Sequence, residues 1–223
     1  MIKALYRYRF EIFLSTQLAI LFGSLLVPVN FFEFTVLPLL YLISILAGIL
    51  MISKRKKLTW FFMLLFLASA LIFGNTMINR QVSQDNILLR LSIYFTFHIV
   101  VTWNIIQQVW RAKRVNRNVI LGLMSGYISL GFLAFFLFMS IELVNPGAFQ
   151  GTLLDNDDIG VFSEAMLYYS YITLLTIGYG EIIPVIPIAQ KAAILVGLAG
   201  QFYLVIITAV VVEKYIRHSE KRE

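Results

Sequence analysis

Long apolar runs broken by short basic clusters constrain this chain more than any other feature. A transmembrane helix needs about 20 mainly apolar residues in succession. Six runs read as spans: roughly Ile12–Val29, Phe34–Ser53, Thr59–Gly74, Leu88–Trp110, Val119–Val144 and Ile186–Val212. The basic residues test that reading. Lys3, Arg7 and Arg9 precede the first run, and Lys54, Arg55, Lys56 and Lys57 separate the second from the third. Arg111, Lys113, Arg114 and Arg117 separate the fourth from the fifth, and Lys214, Arg217, Lys221 and Arg222 follow the sixth. Of the 18 Lys and Arg, only Arg80, Arg90 and Lys191 fall elsewhere. The opposite loops hold Glu33, Arg80, Asp85, Asp155, Asp157 and Asp158. The excess of positive charge in cytoplasmic loops then places both termini in the cytoplasm. A miscounted span would scramble this alternation.

Composition agrees. Hydrophobic residues make up 60% and charged residues 13% of the 223, whereas a soluble domain keeps roughly a quarter of its residues charged. The solvent for most of this chain is lipid. The absence of cysteine excludes disulfides and thiolate metal sites. The net charge of +6 lies in the clusters just named, which set topology and touch anionic lipids rather than nucleic acid. The first run is long and lacks an A-x-A-like cleavage site, which argues against a cleaved signal peptide. The sequence shows no internal repeat, no phosphate-cradling loop, no metal-ligand spacing and no nucleophile beside a base. It therefore reads as a non-enzyme without cofactor.

One further apolar stretch, Val161–Leu175, is too short to cross a bilayer and reads as a re-entrant half-helix entered from outside. Asp157, Asp158 or Ser163 stands ready to cap its first amides, and its carboxyl end carries partial negative charge toward the membrane centre. Thr176-Ile177-Gly178-Tyr179-Gly180 then returns outward, expected as an extended strand. Irregular backbone at this depth must be buried in protein or line a water-filled path. Gly178 and Gly180 permit backbone angles that other residues resist, so that successive carbonyls can face one side.

Those five residues resemble the selectivity filter of potassium channels, in which backbone carbonyls replace the ion's hydration shell. The resemblance extends over Ala165–Pro184, AMLYYSYITLLTIGYGEIIP, and in outline over 119–223. It implies a homotetramer of all-α, six-span subunits, with pore helices and extended filters gathered at the centre. Residues 118–223 would form the pore domain and residues 1–117 a four-helix domain similar to a voltage sensor. Potassium is then the permeating ion, held at the carbonyls of Thr176, Ile177, Gly178, Tyr179 and Gly180. Tyr168, Tyr169 and Thr173 would support the filter. Tyr168 and Tyr169 stand where the family has tryptophans, and Glu181, at the outer mouth, where it has aspartate. Leu175 replaces a threonine, which puts strict selectivity in question and keeps a non-selective cation channel as the alternative.

A sensing fourth helix carries arginine at every third position. Here the fourth run holds Arg90 alone, with His98 mid-span and Gln107 and Gln108 near the inner end. Voltage dependence is therefore expected to be weak or absent. Arg90 reads as reaching the outer interface, and His98 as a satisfied buried group, with a proton sensor as the alternative. In the sixth run Gly200 stands where the family's inner helix bends, with an ordinary helix glycine as the alternative. Gln201, Leu204 and Thr208 share one helix face, which by the resemblance lines the cavity or gate, with a hydrogen bond between helices as the alternative for Gln201. Lys191 reads as reaching the outer interface, with Glu142 or Glu181 as a partner there, and Gly122 and Gly126 as a small-residue pair packing on a neighbour, with chance spacing as the alternative. Few residues follow the sixth run, so no cytoplasmic ligand-binding domain is expected. Two rival readings stay open: a regulatory subunit that does not itself conduct, acting in a larger channel complex, and a secondary transporter, which would want repeated broken helices. The short chain without cysteine suits a bacterial inner membrane.

Overall fold

The computed structural model describes residues 8–28, 31–52, 56–79, 84–112, 116–154 and 159–219. They are mostly helical, in two compact units, residues 1–104 and 105–223. The helices are α1 (Arg9–Phe22), α2 (Leu37–Ile52), α3 (Lys56–Asn79), α4 (Gln84–Arg111), α5 (Arg117–Val144), α6 (Ile159–Leu174) and α7 (Pro187–Ser219). Strands β1 (Phe149–Gln150) and β2 (Ile183–Pro184) complete the regular structure, and the division between units falls inside α4.

Four of the helical stretches are long and apolar enough to cross a membrane: Lys56–Asn75, Leu89–Arg111, Arg117–Val144 and Pro187–Val210. They coincide with the third to sixth sequence runs. The first two runs differ from expectation. α1 has 14 residues and gives way to a 3-10 turn at Gly23–Leu25. α2 has 16 and is entered through a π-helical turn, Phe32–Val36. Pro38 explains the second departure. It has no N–H and its ring crowds the carbonyl four residues back, and it falls where the backbone register passes from the wide turn to the α-helix.

In the first unit α1 packs on α2 and α2 on α3. The core is aromatic: the buried Phe97 ring lies 6.3 Å from Phe13 and 5.3 Å from Phe62, edge to face with both. Gly48 on α2 leaves room for that ring. Tyr41 stacks on Tyr94 at 4.2 Å, and the Tyr94 and Ser69 hydroxyls are 3.2 Å apart. His98 is fully buried, with its ring 5.1 Å from that of Phe97. Arg90 is half-buried near the start of α4. Of the basic clusters, Lys3, Arg7, Lys54, Arg55, Lys113, Arg114, Lys221 and Arg222 lie outside the described residues, as does Arg80.

In the second unit α5, α6 and α7 pack against one another. The Asn116 side chain caps α5 by accepting from the Val119 amide at 3.1 Å. Ala189, Ala192, Val196, Gly200, Tyr203 and Ile207 form the buried stripe of α7, spaced three and four apart as one helix face requires. Pro187 opens that helix, where its missing N–H costs nothing.

Candidate functional site

Helix α6 supplies the frame of the site. At 16 residues and 1.5 Å per residue it is about 24 Å long, less than the roughly 30 Å of a bilayer's hydrocarbon core. It begins two residues before the expected start and ends one before the expected end. Asp157 and Asp158, candidate caps, and Asp155 of the same loop lie outside the described residues. Ser163 sits past the first turn rather than at the start.

The carboxyl end of α6 closes in a specific way. Ile177 N–H donates to Ile172 O at 2.8 Å and Thr176 N–H to Thr173 O at 3.0 Å. This crossed pair is the Schellman closure, which puts the residue after the cap in a left-handed conformation, usually a glycine. Here that residue is Thr176, with φ +56°. A β-branched residue in this region is an outlier, costing on the order of 1–3 kcal/mol, and such strain clusters at functional sites.

Positive φ recurs at every second residue: Thr176 at +56°, Gly178 at +58° and Gly180 at +96°. Among the described residues Gly147 alone joins them. The segment therefore departs from the expected extended strand. A β-strand sends successive carbonyls to opposite sides, whereas alternating handedness can turn successive peptide groups toward one side. Among the described residues nothing crowds Gly178 or Gly180, so their glycine identity answers to backbone angle. The side chains between them are open in the single chain, Ile177 at 47% and Tyr179 at 69% exposure.

Three contacts hold the segment. On the inner side, Gly200 lies against the end of α6, where a Cβ would collide with the Leu174 carbonyl oxygen. α7 runs unbroken through this point, and Gly200 serves there as a close approach of two backbones. The next residue, Gln201, donates from Nε2 to Thr176 Oγ1 at 3.1 Å. On the outer side, Tyr168 donates its hydroxyl proton to Glu181 Oε1 at 2.9 Å. Tyr169 is instead buried, its ring 5.0 Å from Phe138 and 5.4 Å from Phe149, with its hydroxyl bonded to Thr173. Leu204 and Thr208 are exposed along α7 below Gln201.

Several supporting residues carried no signal in the sequence. β1 pairs antiparallel with β2, Phe149 opposite Pro184 and Gln150 opposite Ile183, and Val185 N–H donates to Ala148 O at 2.9 Å. This ladder ties the loop before α6 to the chain just after Gly180. It requires Gly151, because a Cβ there would strike the Glu181 carbonyl. Glu142 does not reach Lys191; its carboxylate accepts from the Gly147 and Phe149 amides at 2.7 and 3.0 Å and shapes that loop. Tyr171 donates to Ile128 O and Tyr203 to Leu123 O, each at 2.7 Å. Gly131 and Gly126 on α5 make room for those two rings. Gly126 thus packs within its own chain. The only sequence hint was glycine at irregular spacing in α5.

Residues 148–217 match a family model described as an ion channel. This stretch is similar to an ion channel domain. It covers β1, α6, the alternating segment, β2 and nearly all of α7, the elements that build the site. With the four helices long and apolar enough to cross a membrane, this match supports a multi-pass membrane protein with a general ion channel function. No curated protein and no solved structure matches the chain.

Proposed function

We propose that this ion channel domain conducts potassium selectively, in a homotetramer whose four Thr176–Gly180 segments meet on one axis. The observation that carries the reading is the alternation of backbone handedness through Thr176, Gly178 and Gly180 directly beyond the α6 carboxyl end. Stacked carbonyl rings can replace the hydration shell of a potassium ion, and the negative end of the α6 dipole favours a cation on the inner side.

Assembly is supported by what one chain leaves open. Ile177 and Tyr179 are exposed, as are Ile194, Leu195, Phe202 and Val205 on α7. Glu181 Oε2 is buried without a hydrogen-bond partner among the described residues, a position suited to a donor from a neighbouring copy. The six-span layout, with both termini cytoplasmic and basic clusters at anionic lipid, is the topology that the charge pattern favours. The chain belongs on this reading in a cell membrane, of the bacterial inner-membrane type. With Arg90 the only arginine in the fourth run, gating depends weakly or not at all on voltage.

The second reading is a non-selective cation channel. Leu175, 44% exposed, favours it, because an apolar side chain stands where a hydroxyl would add a ligand. A flux assay on purified protein in liposomes separates the two. Barium-sensitive potassium flux with no sodium flux supports potassium selectivity, and equal flux of both ions supports the second reading. An intact tetramer that passes neither ion, with flux appearing when another chain is added, would favour a regulatory subunit.

A further inference from the structure

Gln201 is the polar side chain of α7 that touches the alternating segment, and its place there follows from its neighbour. Because Gly200 lacks a Cβ, α7 approaches the Leu174 carbonyl closely, and the next side chain comes within reach of Thr176. Gln201 Nε2 then donates to Thr176 Oγ1 at 3.1 Å. Thr176 itself cannot move aside, since its amide is bound to Thr173 O and its backbone is fixed in the left-handed region.

The hydroxyl oxygen has two lone pairs, and either can serve a cation or a hydrogen-bond donor but not both at once. An amide N–H aimed at Oγ1 takes one of them and adds the positive end of a dipole beside any cation at the inner end of the segment. We infer that Gln201 sets cation affinity at that inner end by competing for the Thr176 hydroxyl, so that it weakens binding there and speeds exit toward the cavity. Conduction needs binding tight enough for entry yet weak enough for release, and Gln201 supplies part of the weakening. This rests on the proposed conduction path through Thr176–Gly180. It makes Gln201 a positioning residue that acts through Thr176.

Barium, close to potassium in radius and doubly charged, is the probe. Its equilibrium binding to the purified full-length chain is measured by calorimetry, which needs no open gate, and its block from the cytoplasmic side by bilayer recording. Removing one net hydrogen bond of this kind, in Gln201→Ala, should tighten barium binding and block about five-fold. Gln201→Leu, which keeps most of the side-chain volume, should act alike and guards against an effect of poor packing. In a Thr176→Ala background the Gln201 substitutions should change nothing, because the contested oxygen is gone. Unchanged or weaker barium binding in both Gln201 variants overturns the inference, and so does an equal effect with and without the Thr176 hydroxyl. Wild-type protein that binds no barium overturns the conduction path and this inference together. Wild-type protein that binds barium with the Gln201 variants unaltered removes the inference alone.

Discussion

The two units of this chain use their polar groups and glycines differently. In residues 1–104 the centre is a set of aromatic rings, Phe13, Phe62 and Phe97, with Tyr41 stacked on Tyr94. There the Ser69 and Tyr94 hydroxyls join two side chains across helices, and Thr16 Oγ1 donates to Ile12 O within α1. In residues 105–223 tyrosine hydroxyls reach main-chain carbonyls, Tyr171 to Ile128 and Tyr203 to Leu123. Glycines 151 and 200 there meet backbone atoms rather than flexible side chains. A ring contact tolerates a shift of some tenths of an ångström, whereas contact with a carbonyl fixes where one helix lies on another. The first unit is built to be packed, and the second to hold a backbone in place.

The largest expected effect sits at the segment being held. Gly178→Asp puts a side chain at φ +58° and a charge on the conduction path, and it should abolish potassium flux in liposomes. Selective flux that survives would remove the assignment of this segment as the filter.

Gly200→Ala should come next, because its Cβ strikes the Leu174 carbonyl and helices must part to relieve it. Overpacking of this kind costs about 3 kcal/mol at the upper end of its range, and thermal unfolding in detergent should show it. A melting temperature unchanged from wild type would mean that α6 and α7 are not fixed at this point.

Tyr171→Phe and Tyr203→Phe each remove one hydrogen bond to a helix carbonyl. Each should lower stability by about 1 kcal/mol, roughly 2–4 °C in Tm for a chain of this size. Larger losses would show the hydroxyls to be more than local ties.

The smallest effect belongs to the first unit. Among the described residues nothing lies within 4 Å of where a Gly74 Cβ would stand, so Gly74→Ala in α3 should be neutral or stabilise by about 0.5–1 kcal/mol through helix propensity. Destabilisation there as large as at Gly200 would erase the contrast between the units.

Much of this was legible in the sequence because it depends on local pattern. The apolar runs located α3, α4, α5 and α7, although α3 and α7 continue past the expected ends to Asn79 and Ser219, and the short run Val161–Leu175 located α6. The two glycines flanking Tyr179 marked the segment of unusual backbone. Illegible features were those whose cause is one specific contact rather than a repeating pattern. Thr176 takes a glycine's conformation only because the end of α6 imposes it. Gly151 answers to Glu181, and Gly131 to a ring 40 residues on in the sequence. Glu142 looked like a partner for Lys191 but serves two amides in its own loop. The wide turn before α2 follows from Pro38, which a count of apolar residues passes over.

The most direct test of the central claim is the reversal potential of the reconstituted protein in a bilayer with potassium on one side and sodium on the other. A potential close to the potassium equilibrium value, lost in Gly178→Asp along with the current, is the expected result. A reversal near zero, with sodium carrying current as readily as potassium, would contradict selection by the Thr176–Gly180 carbonyls.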